Sequence, residues 1–226
     1  MQLRRDQKAL LWAGASTLPF WIAPILQPLL LPLILLNTHV HELCHALAAL
    51  ATGGSVSSIQ VHADTSGVTH VAGGAAVVVA AAGYVGTSIV GGIMIAGARS
   101  HKGARQMLWV LFGFLAFALL LFVRGDAIGL LSGFAWAIAI ALCARRLKDD
   151  AAIFAAQFLG IQLCLSSFFS FLTLLNMSWH DGGHSDAKIM ESVSGIPAVF
   201  WASCWMLISA IAIGFAIRAS WQARGK

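Results

Sequence analysis

Charge is what this 226-residue sequence has least of. Only 10% of its residues are Asp, Glu, Lys or Arg, and 59% are hydrophobic. A soluble globular domain carries about 25% charged residues. So few charges cannot cover a water-facing surface of this size, which excludes a soluble single-domain enzyme and a disordered chain. Cysteine is also sparse. The four cysteines, Cys44, Cys143, Cys164 and Cys204, lie inside apolar runs with no CxxC pair. That excludes a secreted disulfide scaffold and leaves four small buried hydrophobes. The class that remains is an integral membrane protein, a single polytopic domain spanning residues 1–226.

The basic residues that are present point away from nucleic acid. The formal net charge is +5, but its Lys and Arg sit in short clusters between apolar runs, around 4–8, 99–105, 145–148 and 218–226. Such clusters flank membrane spans and meet lipid headgroups. The expected partners are therefore the lipid bilayer and molecules embedded in it, with no nucleic acid. The expected location is the cell membrane, crossed several times.

Stretches without Asp, Glu, Lys or Arg mark the spans. They are 9–38, whose apolar character continues to Ala51, then 71–98, 107–123, 127–144, 151–179 and 196–217. A helix needs about 20 residues to cross the hydrocarbon, and flanking arginines can snorkel to extend the shorter runs. Pro19, Pro24, Pro28 and Pro32 interrupt the first stretch. It reads either as a short span, a break and a helix from about Leu30 to Ala51, or as one crossing with a re-entrant or interfacial start. A cleaved signal peptide is not expected, because the apolar run continues without a polar cleavage segment. Residues 53–70 differ: Val56, Ile59, Val61 and Val68 are strand formers, and Asp64-Thr65-Ser66-Gly67 is turn chemistry. The expected fold is all-α, with six or seven transmembrane helices and a small β-hairpin at the membrane edge. The following span carries small residues at helical spacing, Gly83, Thr87 and Gly91, whose default meaning is close helix packing.

One segment carries chemistry: His41-Glu42-Leu43-Cys44-His45. On a helix, residues four apart share a face, so both imidazoles can bind one metal ion, with Glu42 near enough to act as general base toward water. Zn²⁺ suits such a ligand set, and a third protein ligand leaves one position open. With eight His and two Glu in the chain, this pattern arises by chance in roughly one such chain in 400. Glu42 is also the only carboxylate between Asp6 and Asp64. An ionisable group so placed in an apolar helix is a functional signal by default. His39 does not share a face with His41 and reads as loop-side or interfacial. His62, His70 and His101 read as solvated.

The third ligand must come from elsewhere. Asp149 and Asp150 sit beside Arg145, Arg146 and Lys148 in a solvated loop, Asp126 in a tight turn beside Arg124, and Asp64 in the hairpin turn. That leaves the segment from His180 to Asp186. Within it, Ser185 or Asp186 is equally suited to cap a short helix from Ala187.

These residues resemble the site-2 protease family of intramembrane zinc metallopeptidases, in its compact bacterial branch without PDZ or CBS domains. The matching stretches are THVHELCHALAALATGG (38–54), HADTSGVTHVAGG (62–74), AAGYVG (81–86) and SDAKIMESVSGIPAVFWASCW (185–205); residues 107–176 match only in hydropathy. The resemblance implies that His41 and His45 bind zinc, that Glu42 activates water and that a distant aspartate completes the site. In the wider family that aspartate lies in an N-P-x-x-D-G-like segment. Here NMSWHDG (176–182) keeps the Asp-Gly pair but lacks the proline. The compact branch has S-D-A ahead of G-[IV]-P, matched by Ser185-Asp186-Ala187 and Gly195-Ile196-Pro197. This favours Asp186 over Asp181 as the metal ligand.

The expected activity is zinc-dependent endopeptidase cleavage of membrane-embedded proteins or peptides. A membrane zinc hydrolase of lipid amides is an alternative, and so is an inactive scaffold or metal transporter. A transporter needs polar ligands on several spans, whereas 107–123 and 127–144 hold no acid, base or histidine. The side of the membrane is left open. If residues 10–52 cross once, 12 Lys and Arg share a side against two, Arg124 and Lys188, and the rich side belongs in the cytoplasm. Two crossings give nine against five. The family resemblance instead implies an active site near the cytoplasmic face, with the hairpin on that side.

Overall fold

The computed structural model describes residues 3–178 and 185–222. Asp181, the alternative third ligand, lies outside them. Helix α1 (Arg5–Ile22) leads through a short 3-10 helix (Pro24–Leu30) into α2 (Leu31–Ala51). A hairpin follows, β1 (Ser55–Val61) and β2 (Gly67–Ala72). Then come α3 (Ala76–Gly97), α4 (His101–Leu121), α5 (Ala127–Arg146), α6 (Asp149–Ser178), the short α7 (Asp186–Ser194) and α8 (Ala198–Trp221). Five of these segments, Ile25–Ala51, α3, α4, α5 and α8, are long and apolar enough to cross a membrane by length and composition. Among the described residues, α6 and α1 complete a bundle of seven long helices. Leucine, isoleucine and phenylalanine side chains such as Leu120, Leu131 and Phe215 lie exposed on its outside, where lipid replaces water.

Lipid is as apolar as leucine, so the helices associate through close approach of small residues. A Cβ on Gly91 of α3 would collide with the Gly160 carbonyl of α6, and one on Gly92 would press on Ala216 of α8. The small-residue stripe read from the sequence is therefore the seam of the bundle.

Polar contacts fix the direction of each helix. Arg5 pairs with Asp150 at 3.5 Å and Gln162 donates to Thr17 at 3.2 Å, so α1 and α6 run parallel. The Arg4 guanidinium donates to the Ser220 carbonyl at the end of α8 (2.7 Å), and Arg99 at the end of α3 donates to that of Gln222 (2.5 Å). Arg105 donates to the Leu147 carbonyl at 2.9 Å. The start of α1, the α3–α4 and α5–α6 connections and the end of α8 thus gather at one basic end. The hairpin, the α4–α5 connection and α7 lie at the other.

The proline-rich start resolves into both elements of its two readings. Pro24 opens the 3-10 helix and Pro32 sits in the first turn of α2, where a missing N–H costs no hydrogen bond. The Trp136 indole donates to the Pro32 carbonyl at 2.7 Å, which sets the start of α2 about midway along α5. Both α1 and α2 run toward the hairpin end, with the 3-10 helix between them.

Gly53, with φ +83°, takes the left-handed conformation just past α2, which a residue with a Cβ rarely adopts. The hairpin turns through Asp64, whose carboxylate accepts from the Ser66 N–H at 3.0 Å. Ile59 and Val61 of β1 are buried. β1 is also held on its far side: the Ile59 N–H donates to the Phe122 carbonyl (2.8 Å), and the Arg124 N–H donates to the Ile59 carbonyl (3.0 Å). His62 is not simply solvated. Its Nδ1 lies 2.9 Å from Asp126 Oδ2, and this bond holds the Asp126 carboxyl below the usual carboxylate range. Asp126 also caps α5, accepting from the Ile128 N–H at 2.8 Å.

Candidate metal centre

His41 and His45 lie one turn apart on α2, as their spacing requires. Counted along the helix, they stand about 9–15 Å below its hairpin end. α2 packs antiparallel to α3, and Gly83 faces the pair: a Cβ there would collide with both imidazoles. The small-residue stripe, read as packing alone, thus also makes room for the histidine pair. The His45 Nδ1 lies 2.6 Å from the Val79 carbonyl on α3. A carbonyl can only accept, so Nδ1 carries a proton, which leaves Nε2 as the ring nitrogen that faces a metal.

Asp186 meets the pair from 145 residues away. Its Oδ2 lies 3.2 Å from His41 Nε2 and 3.2 Å from His45 Nε2, and the two Nε2 atoms are 3.0 Å apart. The neighbouring residue frees it for this position. Ser185 Oγ accepts from the Lys188 N–H and caps α7, so the aspartate in the first turn is not needed as a cap. At the other end of α7, Gly195 adopts φ +72°, and Pro197 then opens α8.

The donor set suits a divalent ion such as zinc. Ligands about 2.1 Å from one zinc at tetrahedral angles stand roughly 3.4 Å apart, close to the three separations observed. Among the described residues this is the group of His, Cys, Asp and Glu whose ligand atoms all lie within 4.8 Å of one another.

Glu42 is buried between the two histidines in sequence. Its Oε2 accepts from the Thr69 hydroxyl of β2 at 2.6 Å, and the same hydroxyl lies 2.9 Å from the Glu42 carbonyl. Thr38 Oγ1 donates to the Thr65 carbonyl at 2.9 Å, and a Cβ on Gly67 would strike the Glu42 side chain. The hairpin therefore lies directly over the acid. Among the described residues no further strand pairs with the β2 edge. In an antiparallel pair, residues opposite each other turn their backbone groups the same way, both inward or both outward. Ile59 turns its own toward 122–124, so its partner Thr69 turns N–H and C=O outward, away from β1.

Two residues lay outside the sequence reading. Tyr84, the only tyrosine in the chain, stands edge-on to the His41 ring at 4.7 Å and stacks on Trp205 of α8 at 5.6 Å. It ties α8 to the histidine face, and its singularity was the available signal. Thr69 gave none. His39 corrects an expectation: it is buried, 3.1 Å from Ser132 Oγ on α5. Two residues along a helix is just over half a turn, which aims it at α5 while His41 faces α3.

No curated protein and no solved structure matched the chain. The Peptidase M50B-like family matched residues 11–216, which takes in both histidines, the glutamate, the hairpin and the aspartate. The chain accordingly belongs to the Peptidase M50B-like family, membrane metallopeptidases of the site-2 protease kind.

Proposed function

We propose that the chain is a zinc-dependent intramembrane endopeptidase, acting as one domain over 1–226 on membrane-embedded proteins or peptides. The observation that carries this is the convergence of His41, His45 and Asp186 at 3.0–3.2 Å from two distant segments. These three residues would hold the ion, and the Val79 carbonyl fixes the His45 ring. When bound, zinc supplies Lewis acidity and brings the pKa of water to about 7.

The remaining steps belong to the chain. Glu42 takes a proton from the attacking water and later gives it to the leaving amine. Thr69 orients the Glu42 carboxylate through its hydroxyl. A helical substrate hides its amides in its own hydrogen bonds and must unwind before attack. The outward N–H and C=O of Thr69 can pair with the unwound backbone as an added strand. This outward-turned backbone edge beside the acid favours a peptide over a lipid amide, which has no strand to add.

The test uses purified protein in liposomes, offered a transmembrane-helix peptide and an N-acyl amide lipid side by side. Cleavage of the peptide alone is expected, with Glu42→Gln retaining zinc and losing at least about 10²-fold in rate. Undiminished cleavage by that variant, or turnover of the lipid alone, contradicts the reading.

A further inference from the structure

A groove runs between α4 and α5 on the outer face of the bundle. It holds about 340 Å³, the lower range of a small-ligand pocket. Ala116, Ala137 and Ala141 line it where larger side chains would close it, and Phe112 and Phe134 stand beside them. On α5 the lining residues recur at helical spacing from Phe134 to Arg145, a rise of about 16 Å. The hydrocarbon core of a bilayer is about 30 Å thick, so the groove has the depth of one leaflet. That is too short for a helix crossing the membrane and matches one acyl chain.

The groove is apolar except at one end. Arg145 is its one charged lining residue, and it lies in the last turn of α5, at the basic end of the bundle. Among the described residues neither Arg145 nor its neighbour Arg146 has an ion-pair or hydrogen-bond partner. The acids that follow them are engaged elsewhere. Asp149 lies 3.8 Å from Arg105, and Asp150 lies 3.5 Å from Arg5. Lys148 adds a further positive charge. Trp109, nearer the basic end of α4 than Phe112, meets the Phe112 ring edge-on at 5.4 Å and is exposed. Tryptophan gathers where headgroups meet hydrocarbon. The groove therefore runs from headgroup level toward the middle of the bilayer. Snorkelling accounts for an arginine that reaches for water, but not for its place at the head of a groove one leaflet deep.

We propose that the α4–α5 groove binds one anionic phospholipid, with an acyl chain along its alanines and the phosphate on Arg145. A guanidinium offers phosphate a forked pair of donors. The surplus positive charge over 145–148 selects a headgroup with net negative charge over a zwitterionic one. None of the lining residues belongs to the His41–His45–Asp186 cluster, so the site stands whether or not the chain is a peptidase.

The test titrates delipidated full-length protein in detergent with phosphatidylglycerol and with phosphatidylcholine of the same acyl chains, read by native mass spectrometry. One phosphatidylglycerol should bind per chain, more tightly than phosphatidylcholine. Arg145→Gln should weaken it about fivefold, the equivalent of roughly 1 kcal/mol for one cation near the surface. Arg146→Gln, outside the groove, should weaken it less. Ala141→Trp fills the groove without changing charge and should abolish the one-to-one complex. Equal binding of the two lipids, equal loss in the two arginine variants, or an unaffected Ala141→Trp overturns the proposal. Wild-type protein with phosphatidylglycerol carrying a diazirine in its acyl chain decides the matter without a variant. Crosslinks should fall within 112–120 and 134–142, and crosslinks confined to other segments overturn the proposal. A doubled mass that Ala141→Trp returns to a single chain would assign the groove to a second copy and overturns it too.

Discussion

At the scale of single residues, the His41–His45–Asp186 cluster is shaped by side chains outside it. Thr69 has one hydroxyl proton and two acceptors within reach, the Glu42 carboxylate and the Glu42 carbonyl. Thr69→Val keeps the shape and removes the hydrogen bond, so turnover should fall about tenfold, the equivalent of roughly 1.4 kcal/mol. Thr69→Ser should restore it, and zinc content should stay unchanged in both. Steady-state kinetics of peptide cleavage, with metal analysis alongside, checks this. Gly83→Ala acts differently, because the added methyl would push on both imidazoles. Its expected effect is loss of most bound zinc, read by metal analysis, with circular dichroism reporting an intact helical fold. The histidine–glutamate motif was legible in the sequence because its geometry is local: residues four apart on a helix need no tertiary information to share a face. Gly83 and Thr69 were not legible, since a glycine stripe reads as packing and a strand threonine reads as propensity. Their roles exist only once α3 and the hairpin close on α2.

At the scale of elements, the hairpin is held by long-range contacts invisible in its own sequence. Its strand formers and its Asp64 turn announced the two strands, but not the bridge from Ile59 to Val123 or the bond from His62 to Asp126. Asp126→Ala removes both that bond and the cap on α5. Loss of an N-cap costs about 1 kcal/mol. The expected result is faster amide hydrogen exchange over 55–72, with 31–51 unchanged; equal protection in variant and wild type would contradict the tether. The short α7 shows the same limit of sequence reasoning. On composition alone either Ser185 or Asp186 could cap the helix, and Asp186 could equally be the ligand. The structure divides the work, with the serine capping and the aspartate directed at the histidines.

At the scale of the whole molecule, scarcity of charge announced a membrane bundle, and the apolar runs marked its long helices closely. The arrangement of the first 51 residues was not legible, because four prolines in an apolar run are compatible with one crossing or two. Contacts 145 and more residues apart place it in the bundle, by aligning α1 with α6 and the start of α1 with the end of α8. The same long-range closure joins the two halves of the site, α2 near the start of the chain and α7 near its end. The account's central claim is that these halves share one ion. Metal analysis of purified wild type, Asp186→Ala and Asp181→Ala tests it most directly. One zinc per chain is expected in the wild type and in Asp181→Ala, and zinc should be lost from Asp186→Ala. Zinc retained by Asp186→Ala and lost from Asp181→Ala would contradict the claim.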